Sequence, residues 1–395
     1  MSIPADVLVV GASAAGLSTA EALRRKGFQG DVTVLGAESH QPYDRPPLSK
    51  QVLSGVWEPG RAFLREPAAL SSLDAEFVLG DAAVSLDAEA RTVHTASGRV
   101  LRADAIVVAT GLRPRTFAGQ EDLAGVHVLR TLDDASALRT ELLTASRVVV
   151  VGDGVLGTEI AATARTMGLP VTLAGPQPAP LESQFGPMVA QRLAALHTDR
   201  GVDLRLGGAV TGLGERNGHV TGVHLATGEV LPADLVVVAF GSAPATDWLT
   251  GSGLKVDNGV VCDSSCRAAD GIYAVGDVAR WHHAGLGTLL RLENRTNATE
   301  QALHVAAAIL GESPPYTPVP YFWTDQFDVK IQVYGVLSAD AEVTVVEGDM
   351  DQGRFVALYR RNGTTTGVLG WRMPKQTRLR RQEVVDAFQK SRNRV

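Results

Sequence analysis

The chain has 395 residues, 45% of them hydrophobic and 20% charged, with a formal net charge of −6. That length suits two or three domains, and the mild acidity provides no basic field to attract nucleic acid. No run approaches the roughly 18 apolar residues of a membrane span, and the start, Met1–Asp6, has neither a basic n-region nor an apolar h-region. With only two cysteines, Cys262 and Cys266, a disulfide framework is excluded, so a cytoplasmic protein without nucleic-acid or membrane partners is expected.

Val7–Val10 is a short β-branched run, the pattern of a strand buried on both faces. A glycine turn follows, then helical spacing over Leu17–Lys26 and a second strand at Val32–Leu35, which together make a βαβ unit. Ala105–Ala109, before Thr110 and Gly111, reads as the returning strand. The arrangement then repeats: a strand at Arg147–Val151, a glycine turn at Gly152–Gly157, a helix at Ile160–Met167 and a strand at Val171–Leu173. Leu235–Phe240 before Gly241 closes this second unit. Near Gly271–Asp277 a further strand is expected to meet a turn and a helix. After Pro314 and Pro315 aromatic residues and alternating stretches (Lys330–Val333, Phe355–Tyr359) predict an antiparallel sheet.

The chemistry sits in the turns. Gly11-Ala12-Ser13-Ala14-Ala15-Gly16 stands between a strand and a helix, where free N–H groups and the helix dipole can hold a pyrophosphate. Ser13 replaces the second glycine of that pattern. Glu38, about 20 residues on, could hold a ribose hydroxyl or could be a solvated loop carboxylate. Gly152-Asp153-Gly154-Val155-Leu156-Gly157 is an intact G-x-G-x-x-G. The acid expected after the following strand is missing, and Gly175 stands near its place, with no arginine to take a 2′-phosphate. This leaves NADH favoured over NADPH.

Four segments carry a family resemblance: Pro42–Lys50, Ala109–Arg115, Tyr273–Val278 and Pro320–Asp328. In that order they resemble the FAD-dependent ferredoxin reductases of cytochrome P450 and ring-hydroxylating dioxygenase systems, which include the putidaredoxin and rubredoxin reductases. The resemblance implies the glutathione-reductase fold: an α/β chain with two Rossmann-like dinucleotide-binding domains and a C-terminal α+β domain. It implies a discontinuous FAD domain over 1–115 and 245–318, an NAD(P) domain over 116–244 and a C-terminal domain over 319–395. FAD is expected to be held by Gly11, Ser13, Ala14, Ala15, Gly16, Glu38, Arg45, Lys50, Ala109, Thr110, Gly111, Arg115, Gly276 and Asp277, and Gly241, at the close of the second unit, is a further cofactor-binding residue. Gly152, Gly154, Leu156, Gly157 and Glu159 fall to the nicotinamide nucleotide. Lys50, Glu159 and Trp323 are the expected catalytic group, with Lys50 at the flavin N5 edge, Glu159 across from it and Trp323 beside the rings. A cation there suits a flavin that gains negative charge on reduction.

The implied activity is hydride transfer from NAD(P)H to FAD, then single electrons to an iron–sulfur ferredoxin that feeds an oxygenase. The protein is expected to be a monomer or weak dimer. The reactive cysteines of disulfide reductases and of NADH oxidases with this fold belong in the Gln41–Gly55 region, which has none here. Cys262 and Cys266 match no redox or metal motif, and His282-His283 lacks a third ligand in view. Arg372, Lys375, Arg378, Arg380 and Arg381 form a candidate docking surface for an acidic ferredoxin. Two other readings remain: a quinone or monodehydroascorbate-type reductase, and a redox-sensing flavoprotein resembling apoptosis-inducing factor.

Overall fold

The computed structural model describes residues 3–312 and 314–392, with side chains as far as Phe388. Met1, Ser2, Ser313 and Asn393–Val395 lie outside what is described, as do the side chains from Gln389 to Arg392.

The chain opens with β1 (Asp6–Val10), α1 (Ala14–Arg25), β2 (Asp31–Gly36), β3 (Glu76–Leu79) and β4 (Ala105–Val108). Next come β5 (Val126–His127), α2 (Leu132–Leu142), β6 (Val148–Val151), α3 (Val155–Thr166) and β7 (Val171–Gly175). They are followed by α4 (Glu182–Asp199), β8 (Asp203–Leu206), β9 (Leu235–Val238), β10 (Arg267–Ala269), β11 (Ile272–Ala274) and α5 (Arg295–Ile309). The last part holds β12 (Tyr321–Gln326), β13 (Val329–Gly335), β14 (Glu342–Asp349), β15 (Arg354–Arg361), β16 (Thr364–Trp371) and α6 (Pro374–Arg392).

These strands make three large sheets. The first runs β10-β11-β4-β1-β2-β3 and is parallel except at β10. The second, β8-β7-β6-β9-β5, is parallel throughout. In β6 the side chains alternate between two cores: Val148 and Val150 join one, Val149 and Val151 the other. Covering on both faces is why this strand reads as unbroken valine, and each buried valine contributes about 1.5–3 kcal/mol. The third sheet, β12-β13-β16-β15-β14, is antiparallel. One of its faces packs on Phe185, Val189 and Leu193 of α4, the other on Met373 and Val384 near α6. Helix α4 thus ties the second unit to the third sheet.

The structure moves two helix starts and removes one helix. Helices α1 and α3 begin at Ala14 and Val155, directly on their glycine turns, ahead of the expected Leu17 and Ile160. Beyond Asp277 there is only a one-turn 3₁₀ segment, Gly276–Val278, and then a strand, Ala279–His283, paired with Val260–Cys262. Trp281 is fully buried there, and anchoring that side chain in the core overrides the helical expectation. The helix over the Asp277 turn is instead α5, whose N-cap Asn294 accepts from the Asn297 N–H.

Candidate functional site

At the first turn, Gly11 has φ +125°, and its N–H donates to the Leu35 carbonyl at 2.7 Å. A Cβ on Gly11 would stand 2.2 Å from the Ala109 oxygen, and one on Gly16 would stand 1.8 Å from the Gly11 oxygen. Both positions therefore require glycine. Ser13 is the N-cap of α1 in extended conformation and makes no side-chain cap bond, so the turn accepts serine there. Ala14 and Ala15 supply first-turn N–H groups that lack intrahelical partners. Ala109 (N–H to the Val10 carbonyl, 2.8 Å), Thr110 and Gly111 (φ +67°) close one side. Gly276 closes the other, its N–H donating to Gln301 Oε1 at 2.8 Å.

Charged groups gather around this turn. Arg45 donates to Glu38 Oε1 at 2.8 Å and to the Tyr43 hydroxyl at 3.0 Å, and Tyr43 donates to Glu38. Glu38 is thus held by Arg45 and Tyr43. Arg130, which the sequence reading missed, lies 3.8 Å from Asp277. Burial, and then the neighbouring Arg45 charge, push the Arg130 guanidinium down to about 10. Burial raises the Asp277 carboxyl, against the pull of Arg130. Two guanidiniums brought together beside unpaired helix N–H groups fit an anionic dinucleotide, because a diphosphate relieves their repulsion. The cue in the sequence was Arg130 standing just before Thr131, which forms a capping box with Asp134. Arg115 is exposed, its backbone N–H bonds the Gly241 carbonyl at 3.0 Å, and both lie where the chain passes between the two units.

The second turn copies the first. Gly152 has φ +127°, and its Cβ would meet the Ala239 oxygen at 2.3 Å; a Cβ on Gly157 would meet the Gly152 oxygen at 1.8 Å. Gly154, the N-cap of α3, has nothing within 4 Å of where its Cβ would be. Leu156 packs beneath, against the second unit's core.

Glu159, in the second turn of residues of α3 after Gly157, points to Lys50. Lys50 Nζ lies 2.6 Å from Glu159 Oε2, with side-chain exposures of 13% and 7%. Ser49 Oγ donates to the same oxygen at 2.7 Å, and Thr324 Oγ1 donates to Oε1 at 2.7 Å. Lys50 also donates to the Pro46 carbonyl at 3.0 Å. A second tier lies behind: His197 Nε2 bonds Gln326 Oε1 at 2.7 Å, and Gln326 Nε2 donates to Thr158 and Thr324 at 2.9 and 3.2 Å. Ser49, Thr324, Gln326 and His197 were not foreseen, being more than 100 positions from their partners. Trp323 is half-buried in β12, with Tyr321 stacked at 6.0 Å and Lys330 Nζ 5.9 Å from its ring centre. Tyr321 stacks in turn on Tyr334 at 4.6 Å.

The thiols lie elsewhere. Cys262 and Cys266 are buried in the first core, where burial lifts Cys262 well above its usual range and Cys266 to about 12. His283 is buried, with the Pro318 carbonyl 3.0 Å from Nε2, while His282 is exposed.

Two parallel nucleotide-type units joined by a buried lysine–glutamate pair, which the third sheet reaches through Thr324, define a two-dinucleotide oxidoreductase. Residues 5–302 match the family model described as pyridine nucleotide-disulphide oxidoreductase, and 321–393 match the reductase C-terminal domain. The chain belongs to the pyridine nucleotide-disulphide oxidoreductase family, in the branch that carries this C-terminal domain. It is 36% identical over 352 residues to rhodocoxin reductase of Rhodococcus erythropolis, covering 89% of this chain and 82% of that one. It is 33% identical to putidaredoxin reductase of Pseudomonas putida, covering 96% and 92%. The solved covalent putidaredoxin reductase–putidaredoxin complex superposes with a TM-score of 0.92 at 33% identity, covering 97% of this chain and 93% of that one. Among the described residues no helix is long and apolar enough to cross a membrane.

Proposed function

We propose that this protein is a ferredoxin reductase that takes a hydride from NADH and delivers electrons to a small iron–sulfur protein of an oxygenase system. The observation that carries the reading is Glu159, a carboxylate from α3 that receives Lys50 and Ser49 from the first unit and Thr324 from the third sheet. Three parts of the chain are thereby locked around one cation. The relatives named above, reductases of rhodocoxin and putidaredoxin, support the acceptor class.

In this reading residues 1–115 and 245–318 bind FAD, 116–244 bind the nicotinamide nucleotide, and 319–395 complete the site. Bound FAD supplies the chemistry of accepting a hydride and releasing electrons one at a time. Gly11, Gly16 and the first turn of α1 receive the diphosphate, with Arg45 and Arg130 neutralising it. Asp277, at the 3₁₀ turn, accepts the ribityl hydroxyls. The Gly152–Gly157 turn brings the second nucleotide alongside. Lys50, fixed by Glu159 and the Pro46 carbonyl, presents its ammonium where charge develops. Trp323 lines the third-sheet side and excludes water. The donor is NADH, because 168–191 contains no lysine or arginine to meet a 2′-phosphate. No thiol takes part, since both cysteines are buried and hard to ionise.

The test is an anaerobic titration of the purified yellow protein with NADH and then NADPH, followed by addition of an acidic [2Fe–2S] ferredoxin. Rapid bleaching by NADH and reoxidation by the ferredoxin are expected. A flavin that neither nucleotide bleaches would overturn the hydride step and favour a flavin-binding scaffold.

A further inference from the structure

Strand β7 ends in Gly175, at the place where a nucleotide-binding unit normally offers a carboxylate to the adenosine ribose. The volume above it is not empty. A Cβ on Gly175 would lie 2.3 Å from Asp153 Oδ2 and 2.5 Å from Asp153 Cγ. The carboxylate of Asp153, the second residue of the glycine turn, therefore fills the space that a side chain at the strand end would take. Asp153 is only 5% exposed, and it is held from the loop that follows. The Gln177 backbone N–H donates to Oδ2 at 2.8 Å and Gln177 Nε2 donates to Oδ1 at 2.7 Å. Gln177 Oε1 accepts from the Ser183 N–H at 2.6 Å, and the Leu181 N–H donates to the Asp153 carbonyl at 3.0 Å. Each carboxylate oxygen accepts one of these bonds and keeps a lone pair for another donor.

Resting on the reading of the 152–157 turn as the nucleotide site, we propose that Asp153 replaces the missing strand-end acid, accepts the adenosine 2′-hydroxyl and selects NADH over NADPH. The sequence carries the acid from strand end to turn, where the small Gly175 makes room for it. A 2′-phosphate would put two negative charges against a fixed carboxylate, with no lysine or arginine in the adjoining loop to offset them. Gln177 is the positioning residue: its backbone and side chain both grip the carboxylate and set its direction.

Calorimetric titration of the flavin-loaded protein with ADP-ribose and with 2′-phospho-ADP-ribose reads this recognition with no hydride transfer. The native protein is expected to bind ADP-ribose at least about tenfold more tightly. Asp153→Asn, which keeps the shape and removes the charge, is expected to bring the two within about threefold. The double variant Asp153→Gly with Gly175→Glu returns the carboxylate to the strand end and is expected to restore the preference. Equal binding of both probes by the native protein would overturn the proposal. So would an Asp153→Asn variant that weakens both probes alike and keeps their ratio, since that is the behaviour of a loop clamp. Because neither probe carries a nicotinamide, these outcomes are independent of flavin reduction by NADH, whose failure would overturn the reductase reading alone.

Discussion

Glu159 is nearly buried yet accepts three hydrogen bonds, from Lys50, Ser49 and Thr324. Glu159→Gln keeps its volume but offers one acceptor oxygen and no charge to a mostly buried ammonium. Hydride transfer from NADH, followed as flavin bleaching in a stopped-flow instrument, is expected to slow by about ten- to a hundredfold. An unchanged rate would show the pair to be only a strut between domains. His197, behind this group, gives a prediction in stability. It is fully buried, and burial holds its imidazole below the ordinary 6.5. Between the folded and unfolded pKa values the unfolded chain binds more protons, so stability rises with pH there. The His197 contribution is complete above about 6.5 and is lost as the pH falls through the lower folded value. Urea unfolding of His197→Gln from pH 7.5 down to 5 should show a shallower decline than the native protein; parallel curves would contradict this. At this scale the sequence yielded the Lys50–Glu159 pair only through resemblance to a family. The same resemblance covered the segments that hold Ser49, Thr324 and Gln326 but not their roles, because a hydroxyl or amide becomes part of a site only when distant strands meet.

The glycine turns were readable because each is dictated locally: a buried strand, a residue at positive φ, then a helix whose first backbone packs on the turn. The two last glycines of the motifs, Gly16 and Gly157, have their Cβ space filled by the carbonyl of the first. Gly154 faces open space instead. These positions should therefore separate under the same substitution. Gly157→Ala forces backbone apart and is expected to cost about 2–4 kcal/mol in denaturant unfolding. Gly154→Ala is expected to leave stability within about 0.5 kcal/mol, while raising KM for NADH, since the methyl would stand where the diphosphate approaches the backbone. If Gly154→Ala left KM unchanged, the turn would not be a nucleotide site. The helix expected after Asp277 failed as an element for the opposite reason. Ala279–His283 carries no strong local preference, and the burial of Trp281 decides its conformation from outside.

At the scale of the whole molecule, the presence of two parallel nucleotide-type sheets and a C-terminal antiparallel sheet was legible because the two βαβ patterns and the aromatic change of texture after Pro315 are large signals. The surface that faces a partner was not, because charge counts do not tell which cations are already used. The structure sorts the basic stretch. Arg372 is paired with Asp328, and Arg380 with Glu383 at 2.7 Å. Arg378 and Arg381 line a hollow with Glu300, Tyr321 and Tyr334, where the Arg381 charge also faces the Glu300 carboxylate, one stacked ring away from Trp323. An acidic ferredoxin seated there would place its cluster near the aromatic wall of the site. Such pairing acts mainly on encounter, so its signature is kinetic and dependent on salt. Replacing both arginines (Arg378→Glu with Arg381→Glu) is expected to lower kcat/KM for an acidic ferredoxin about tenfold or more at low ionic strength. The gap between variant and native rates should close as salt is raised, because screening removes what the substitution reversed. Reduction of ferricyanide by NADH, which needs no docking, serves as the control and should be preserved. A variant with native ferredoxin kinetics at every salt concentration would move the docking surface away from this hollow. One that lost ferricyanide reduction as well would show that the arginines support the site itself, through Tyr334 and Tyr321.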